Sequence, residues 1–192
     1  GLVMTNYPHN PSGQVASADW FRALCEHCAR HDIRLFNDAA YACLSHDAES
    51  ACLSQVAPEF PELSWAEAFT AAMKEVKGKT DAGFVAPMAA GALAALEHDQ
   101  AGIAEYRAMY RERLALLTDL MQACGMRLAL QPKAAFYTLW QTPTRAFGRA
   151  IESAQDFNVA MIEETGVVGV HFGDYLRYAV CADVKAMAAG LE

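Results

Sequence analysis

The chain has 192 residues, of which 54% are hydrophobic and 20% charged, so it can bury a sizeable core and is too apolar to be disordered by composition. A formal charge of −8 and a pI near 5.2 leave no basic stripe to neutralise phosphates, which argues against nucleic acid as a main partner. No apolar run reaches membrane-spanning length without a charge or a turn residue, no leader peptide is visible in Gly1–Asn6, and six scattered cysteines read as reduced thiols. The expectation is a cytoplasmic protein without membrane partners.

In chain order, Leu2–Thr5 is a short apolar run of the kind that forms a buried parallel strand. It runs into Asn6-Tyr7-Pro8-His9-Asn10-Pro11-Ser12-Gly13, whose prolines, asparagines and glycine predict a rigid irregular loop. Ser17 is placed to cap a helix with Asp19 in its first turn, and Phe21, Leu24, Cys25 and Cys28 give that helix one apolar face. Ile33–Phe36 is the next predicted strand, ending in Asp38-Ala39-Ala40-Tyr41. Strand, loop, helix, strand is the pattern of a parallel α/β sheet, whose ligands gather at the carboxyl ends of its strands. Residues 42–64 read as irregular because Pro58 and Pro61 forbid a long helix.

Helices are predicted around Trp65–Val76 and Ala86–Glu97. A long amphipathic one follows from Ile103 to Cys124, with Ile103, Tyr106, Tyr110, Leu114, Leu117, Leu120 and Met121 at three- and four-residue steps, and Gly125 stops it. Strands at Met126–Leu130 and Ala135–Trp140, a helix at Ala154–Thr165, and strands at Val167–Val170 and Tyr175–Val180 complete a smaller α+β unit. No internal repeat or low-complexity tract is present.

Three stretches carry polar groups with chemical potential. His9-Asn10-Pro11-Ser12-Gly13 is a common turn when read alone. Asp38 with Tyr41 either caps a turn or serves one flat ligand from two sides. Arg177, inside the apolar stretch Tyr175-Leu176-Arg177-Tyr178-Ala179-Val180, must be paired or must bind something, since a buried lone guanidinium is costly. Other signals are weaker. Cys25-Glu26-His27-Cys28 near His31 has no second ligand pair for zinc and falls on an apolar helix face, which favours core packing. Gly78-Lys79-Thr80 lacks the leading glycine of a P-loop, because Met73 stands there. His171 reads as a hydrogen-bonded loop histidine.

Taken together and in order, these stretches resemble the class I/II aminotransferases of the fold type I group, in the diaminopimelate- and aspartate-aminotransferase-like branch. Matching segments are Asn6 to Gly13, Asp38-x-Ala-Tyr41, Val76-Lys77-Gly78-Lys79-Thr80-Asp81-Ala82-Gly83, Tyr110-Arg111-x-Arg113, Pro132-Lys133-Ala134-Ala135-Phe136-Tyr137 and Leu176-Arg177. The resemblance implies an α/β chain holding the C-terminal part of a large parallel-sheet domain (1–102), then a linking helix and small α+β domain (103–192). It also implies pyridoxal 5'-phosphate as cofactor and transfer of an amino group between an amino acid and a 2-oxo acid, usually by a homodimer. Asp38 would pair with the pyridine nitrogen, Tyr41 and Asn10 would hydrogen-bond the ring's phenolic oxygen, and Arg177, helped by Asn10, would grip the substrate carboxylate. Tyr7 would either line the site or pack beside it.

The family's Schiff-base lysine is not found. The five lysines are Lys74, Lys77, Lys79, Lys133 and Lys185. Lys77 and Lys79 belong to a later family segment, with no arginine between Lys79 and Arg107 to take the cofactor phosphate. The Ser64–Ala72 region therefore reads as a junction from which that segment is lost, the turn at His171–Asp174 as shortened, and the N-terminal half of the large domain as absent. A β-lyase or decarboxylase shares these motifs, and a non-catalytic fragment of the family is the reading from another class.

Overall fold

The structure is a computed structural model and describes residues 1–63 and 86–188. The chain opens on strand β1 (Leu2–Asn6), which pairs in parallel with β2 (Arg34–Asp38) in a register that sets Asn6 beside Asp38. Between them runs helix α1 (Ala18–Arg30), started as its sequence predicts by Ser17, whose side chain accepts a hydrogen bond from the Trp20 amide at 3.2 Å. Such a cap satisfies one of the orphan amides of the first turn. The apolar stripe of α1 packs Phe21, Cys25 and Cys28 against Leu35, Ala51 and Val56, so both cysteines are core residues.

Residues 42–63 form single tight turns (Ala42–Leu44, Ala57–Glu59, Pro61–Leu63) and the short α2 (Leu53–Val56), as the two prolines require. The helix predicted at Trp65–Val76 lies outside the described residues. Helix α3 (Ala86–His98) is followed by the long α4 (Gln100–Ala123), and Asp99 between them caps α4 through the Gly102 amide. Helix α4 thus starts three residues before the amphipathic pattern does, because a cap and not an apolar position begins it. Cys124 caps its end, and Gly125 follows at a φ of +84°, which suits a residue without a Cβ.

A four-stranded antiparallel sheet follows, ordered β3 (Leu128–Leu130), β4 (Tyr137–Gln141), β8 (Tyr175–Ala179), β7 (Val170–Phe172). One face carries Trp140, Leu176 and Tyr178 onto Ala154 and Phe157 of α5 (Ala154–Thr165), and onto Leu117 and Met121 of α4. The Trp140 indole there donates to Thr138 Oγ1 at 2.8 Å in a fully buried setting. The small hairpin β5 (Arg145–Ala146) and β6 (Arg149–Ala150) has no counterpart in the sequence reading, and β7 starts three residues later than the predicted Val167–Val170 strand, overlapping it only at Val170. His171 accordingly sits on β7 with an exposed side chain, not in a loop. The described residues end on α6 (Val184–Ala188), where Val184 packs with Leu114 of α4 and Val180.

The first loop reaches the second sheet directly. The amides of Lys133 and Ala134 both donate to the Gly13 carbonyl at 2.9 Å, the His46 amide donates to the Lys133 carbonyl, and the Ala135 amide to the Leu44 carbonyl. Gly13 has φ +67°, and a Cβ there would stand 2.8 Å from the Ala134 carbonyl oxygen. The Asn-Pro-x-Gly turn is therefore a docking surface in which only glycine fits.

Candidate functional site

The loop after β1 is built by its own asparagines. Asn6 Oδ1 accepts from the Asn10 amide at 2.8 Å. Asn37 clamps the backbone of Tyr7 from both sides, accepting from its amide and donating to its carbonyl at 3.1 Å. The Tyr7 ring meets Trp20 edge-on at 5.2 Å, which is a packing role. Held in this way, Asn10 points across the molecule to β8.

Arg177 receives it. Its Nη1 donates to Asn10 Oδ1 at 2.8 Å across 167 residues of sequence. The guanidinium lies over the Tyr137 ring at 4.5 Å and 5.2 Å from the Phe172 ring centroid. Strand register explains the first contact. Arg177 stands opposite Leu139, and Tyr137, two residues from Leu139, is its diagonal neighbour on the same face. Arg177 Nε is buried without a hydrogen-bond partner, and among the described residues the arginine makes no ion pair. The ion-pair alternative open at the sequence level thus finds no acidic partner there.

The chain of contacts continues toward β2. Asn10 Nδ2 donates to the Tyr41 hydroxyl over a long 3.5 Å, and Tyr41 and Tyr137 hydroxyls meet at 3.0 Å. Burial, and then the bond to Tyr41, push the Tyr137 phenol up to about 12, so it is a neutral hydroxyl at any physiological pH. Asp38 ends β2 as an exposed carboxylate that accepts from the Ala40 amide at 3.3 Å. Among the described residues it has no cationic partner. The structure thus joins Asn10, Tyr41 and Arg177 in one hydrogen-bonded line and sets Asp38 at the neighbouring strand end, one turn of chain before Tyr41. Tyr137 and Phe172 complete the setting. Sequence reasoning gave neither a role, and only the β4–β8–β7 pairing, invisible in sequence, brings them beneath Arg177.

The arrangement offers a carboxylate for a cation, an amide and a phenol for an oxygen, and an un-neutralised guanidinium for an anion. Comparison with known proteins gives the following likenesses. Residues 1–73 match the family model Aminotransferase class I and II. The chain is 28% identical to the LL-diaminopimelate aminotransferase of Natranaerobius thermophilus over 219 residues, covering all of this chain and 55% of that protein. With the enzyme of the same name from Desulforudis audaxviator it shares 30% identity, over 91% of this chain and 49% of the relative. Its fold is similar to that of an aspartate aminotransferase from Rhizobium meliloti, with a TM-score of 0.81 at 22% identity, over 99% of this chain and 56% of the other. The fold is that of a partial fold type I transferase. In sequence and fold the chain is thus similar to class I and II aminotransferases, the diaminopimelate enzymes among them. It spans about half the length of the curated relatives it matches. The Natranaerobius comparison runs over 219 residues against a chain of 192, so at least 27 positions of that relative have no counterpart here.

Proposed function

We propose that this chain carries the ring- and carboxylate-binding part of a pyridoxal-phosphate-dependent aminotransferase, an enzyme moving an amino group between an amino acid and a 2-oxo acid. The observation that carries the reading is Arg177: a part-buried guanidinium oriented by Asn10 and Tyr137 and left without an acidic partner among the described residues. A planar guanidinium so placed takes a carboxylate in two parallel hydrogen bonds. Asp38, a carboxylate without a cationic partner among the described residues, suits a protonated ring nitrogen, and Tyr41 with Asn10 supplies donors for an oxygen on the same ring. These residues fit the cofactor's ring, and they fit it from two sides. When bound, the cofactor supplies an electron-withdrawing ring that stabilises charge at the amino acid's Cα. The protein's share is to keep the ring nitrogen protonated with Asp38, hold the ring oxygen with Tyr41, and aim the substrate by its carboxylate at Arg177.

The same reading divides the chain into 1–102, the C-terminal part of a large cofactor-binding domain, and 103–192, the linking helix with a small domain. It implies a cytoplasmic homodimer. A β-lyase or decarboxylase of the same fold type would use the identical ring and carboxylate groups.

A second reading has its own support. Of the lysines in the described residues, Lys133 is paired with Asp47 at 2.9 Å and Lys185 with Glu112, while Lys74, Lys77 and Lys79 lie outside them. With the unmatched positions of the relatives, this favours a chain that binds the ring without the lysine that moves the proton. The test is to add pyridoxal phosphate to the purified chain, reduce with borohydride and map the labelled peptide by mass. Cofactor trapped on a lysine supports the transferase. Binding without a trapped lysine leaves the non-catalytic reading, and no binding overturns both.

A further inference from the structure

We propose that Tyr137 is the positioning residue of this site, one side chain that sets both the ring-oxygen group, Tyr41, and the carboxylate group, Arg177; the inference rests on the ring-and-carboxylate reading above. Its hydroxyl meets the Tyr41 hydroxyl at 3.0 Å and its ring lies 4.5 Å under the Arg177 guanidinium. The two rings stand perpendicular, with centroids 5.5 Å apart. The side chain that does both is itself buried: it is only 8% exposed and packs on Phe136 at 4.5 Å. Its backbone follows Ala135, held at φ +64°.

Donor and acceptor counting gives the hydroxyl a direction. Arginine has only donors, so Asn10 must turn its oxygen to Arg177 and its amide NH2 to Tyr41, which is the orientation observed. The Tyr41 oxygen therefore accepts on that side. If Tyr137 also donates to it, the Tyr41 proton is left to point outward at a bound oxygen. If Tyr137 is removed, that proton has no partner that fixes its direction. The ring acts separately. A flat aromatic face beneath a guanidinium holds its plane, and a carboxylate must meet that plane to be gripped by two bonds.

The two halves are separable by substitution. In Tyr137→Phe the ring remains and the hydroxyl is lost, whereas in Tyr137→Leu both are lost. Binding of pyridoxal phosphate and of 2-oxoglutarate, each measured by calorimetry on the full chain, reads the two halves independently of turnover. The expected result is that Tyr137→Phe weakens pyridoxal phosphate about fivefold, the effect of a single neutral hydrogen bond, with 2-oxoglutarate affinity within twofold of the parent. Tyr137→Leu is expected to weaken both, 2-oxoglutarate by about tenfold. Tyr41→Phe should reproduce the first loss, and the Tyr41→Phe, Tyr137→Phe double variant should add nothing to it. A generally loosened fold would instead make these losses additive. Equal cofactor affinity in the parent and Tyr137→Phe, or additive losses, would overturn the proposal while leaving the reading of the site intact. A parent that binds neither compound would overturn that reading and this proposal with it.

Discussion

At the scale of single residues, two positions are set by backbone and burial more than by chemistry. Gly13 occupies left-handed backbone with the Ala134 carbonyl 2.8 Å from where a Cβ would stand. Gly13→Ala is expected to lower stability by about 2 kcal/mol or more, from the left-handed penalty of ~1–2 kcal/mol plus displacement of the 132–134 segment. Denaturant unfolding measures this, and a loss under 0.5 kcal/mol would contradict the docking role given to the turn. Tyr178 presents the opposite case. Its hydroxyl is buried and without a hydrogen-bond partner among the described residues, so it contributes a desolvation cost and no bond. Tyr178→Phe should leave stability unchanged or raise it by about 1 kcal/mol, read as a higher midpoint in thermal unfolding. A lowered midpoint would mean that the hydroxyl has a partner in solution.

At the scale of elements, the four-stranded sheet carries a buried phenol on each face, Tyr137 toward the site and Tyr178, opposite Thr138, toward the core under α5. Burial pushes both up to about 12. A free tyrosine in the unfolded chain ionises near 10, so above that pH the unfolded state loses protons that the folded state keeps. Stability is therefore intact below pH 10 and falls as pH rises through 10 to 12, at up to about 1.4 kcal/mol per pH unit for each tyrosine. Unfolding followed from pH 8 to 12 should show that decline, with a smaller slope in Tyr178→Phe. A flat profile would place both phenols in contact with water.

The elements also show what was legible in the sequence. Helix α5 runs from Ala154 to Thr165 as predicted, because a serine cap and a left-handed Gly166 bound it. The β5–β6 hairpin was unreadable. Its turn puts Phe147 at φ +50° and Gly148 at φ +74°, and a phenylalanine gives no warning of the backbone that Asn-Gly or Asp-Gly would announce. Asn10, Asp38, Tyr41 and Arg177 could be named as candidates from order and resemblance. Tyr137 could not, since its place beneath Arg177 depends on strand register, which no local pattern encodes.

At the scale of the whole molecule, the first sheet carries large apolar side chains on both faces, as a parallel strand pair does when covered on both. Val3 and Leu35 turn to the core, but Leu2, Met4 and Phe36 are exposed at 59%, 69% and 45%. Helix α3 adds exposed Met88, Leu93 and Leu96. Exposed apolar surface of this kind recruits other apolar surface. The purified chain should enhance the fluorescence of an apolar dye and scatter light increasingly with concentration, and Met4→Lys with Phe36→Lys should reduce both. A dye-silent, monodisperse chain would show that these faces are covered in solution.

The hydrogen bond between Asn10 and Arg177 closes a loop of most of the chain, and closing long loops is slow and entropically costly. Neither residue can do its work until β1, β2 and the antiparallel sheet have all formed and met, so a carboxylate that binds there binds only the fully assembled chain. Mass action then makes such a ligand a brace: at one hundred times its dissociation constant it would add about 2.7 kcal/mol to the folded state. For this protein, protection from heat or protease by a simple 2-oxo acid would be a measure of architecture as much as of affinity.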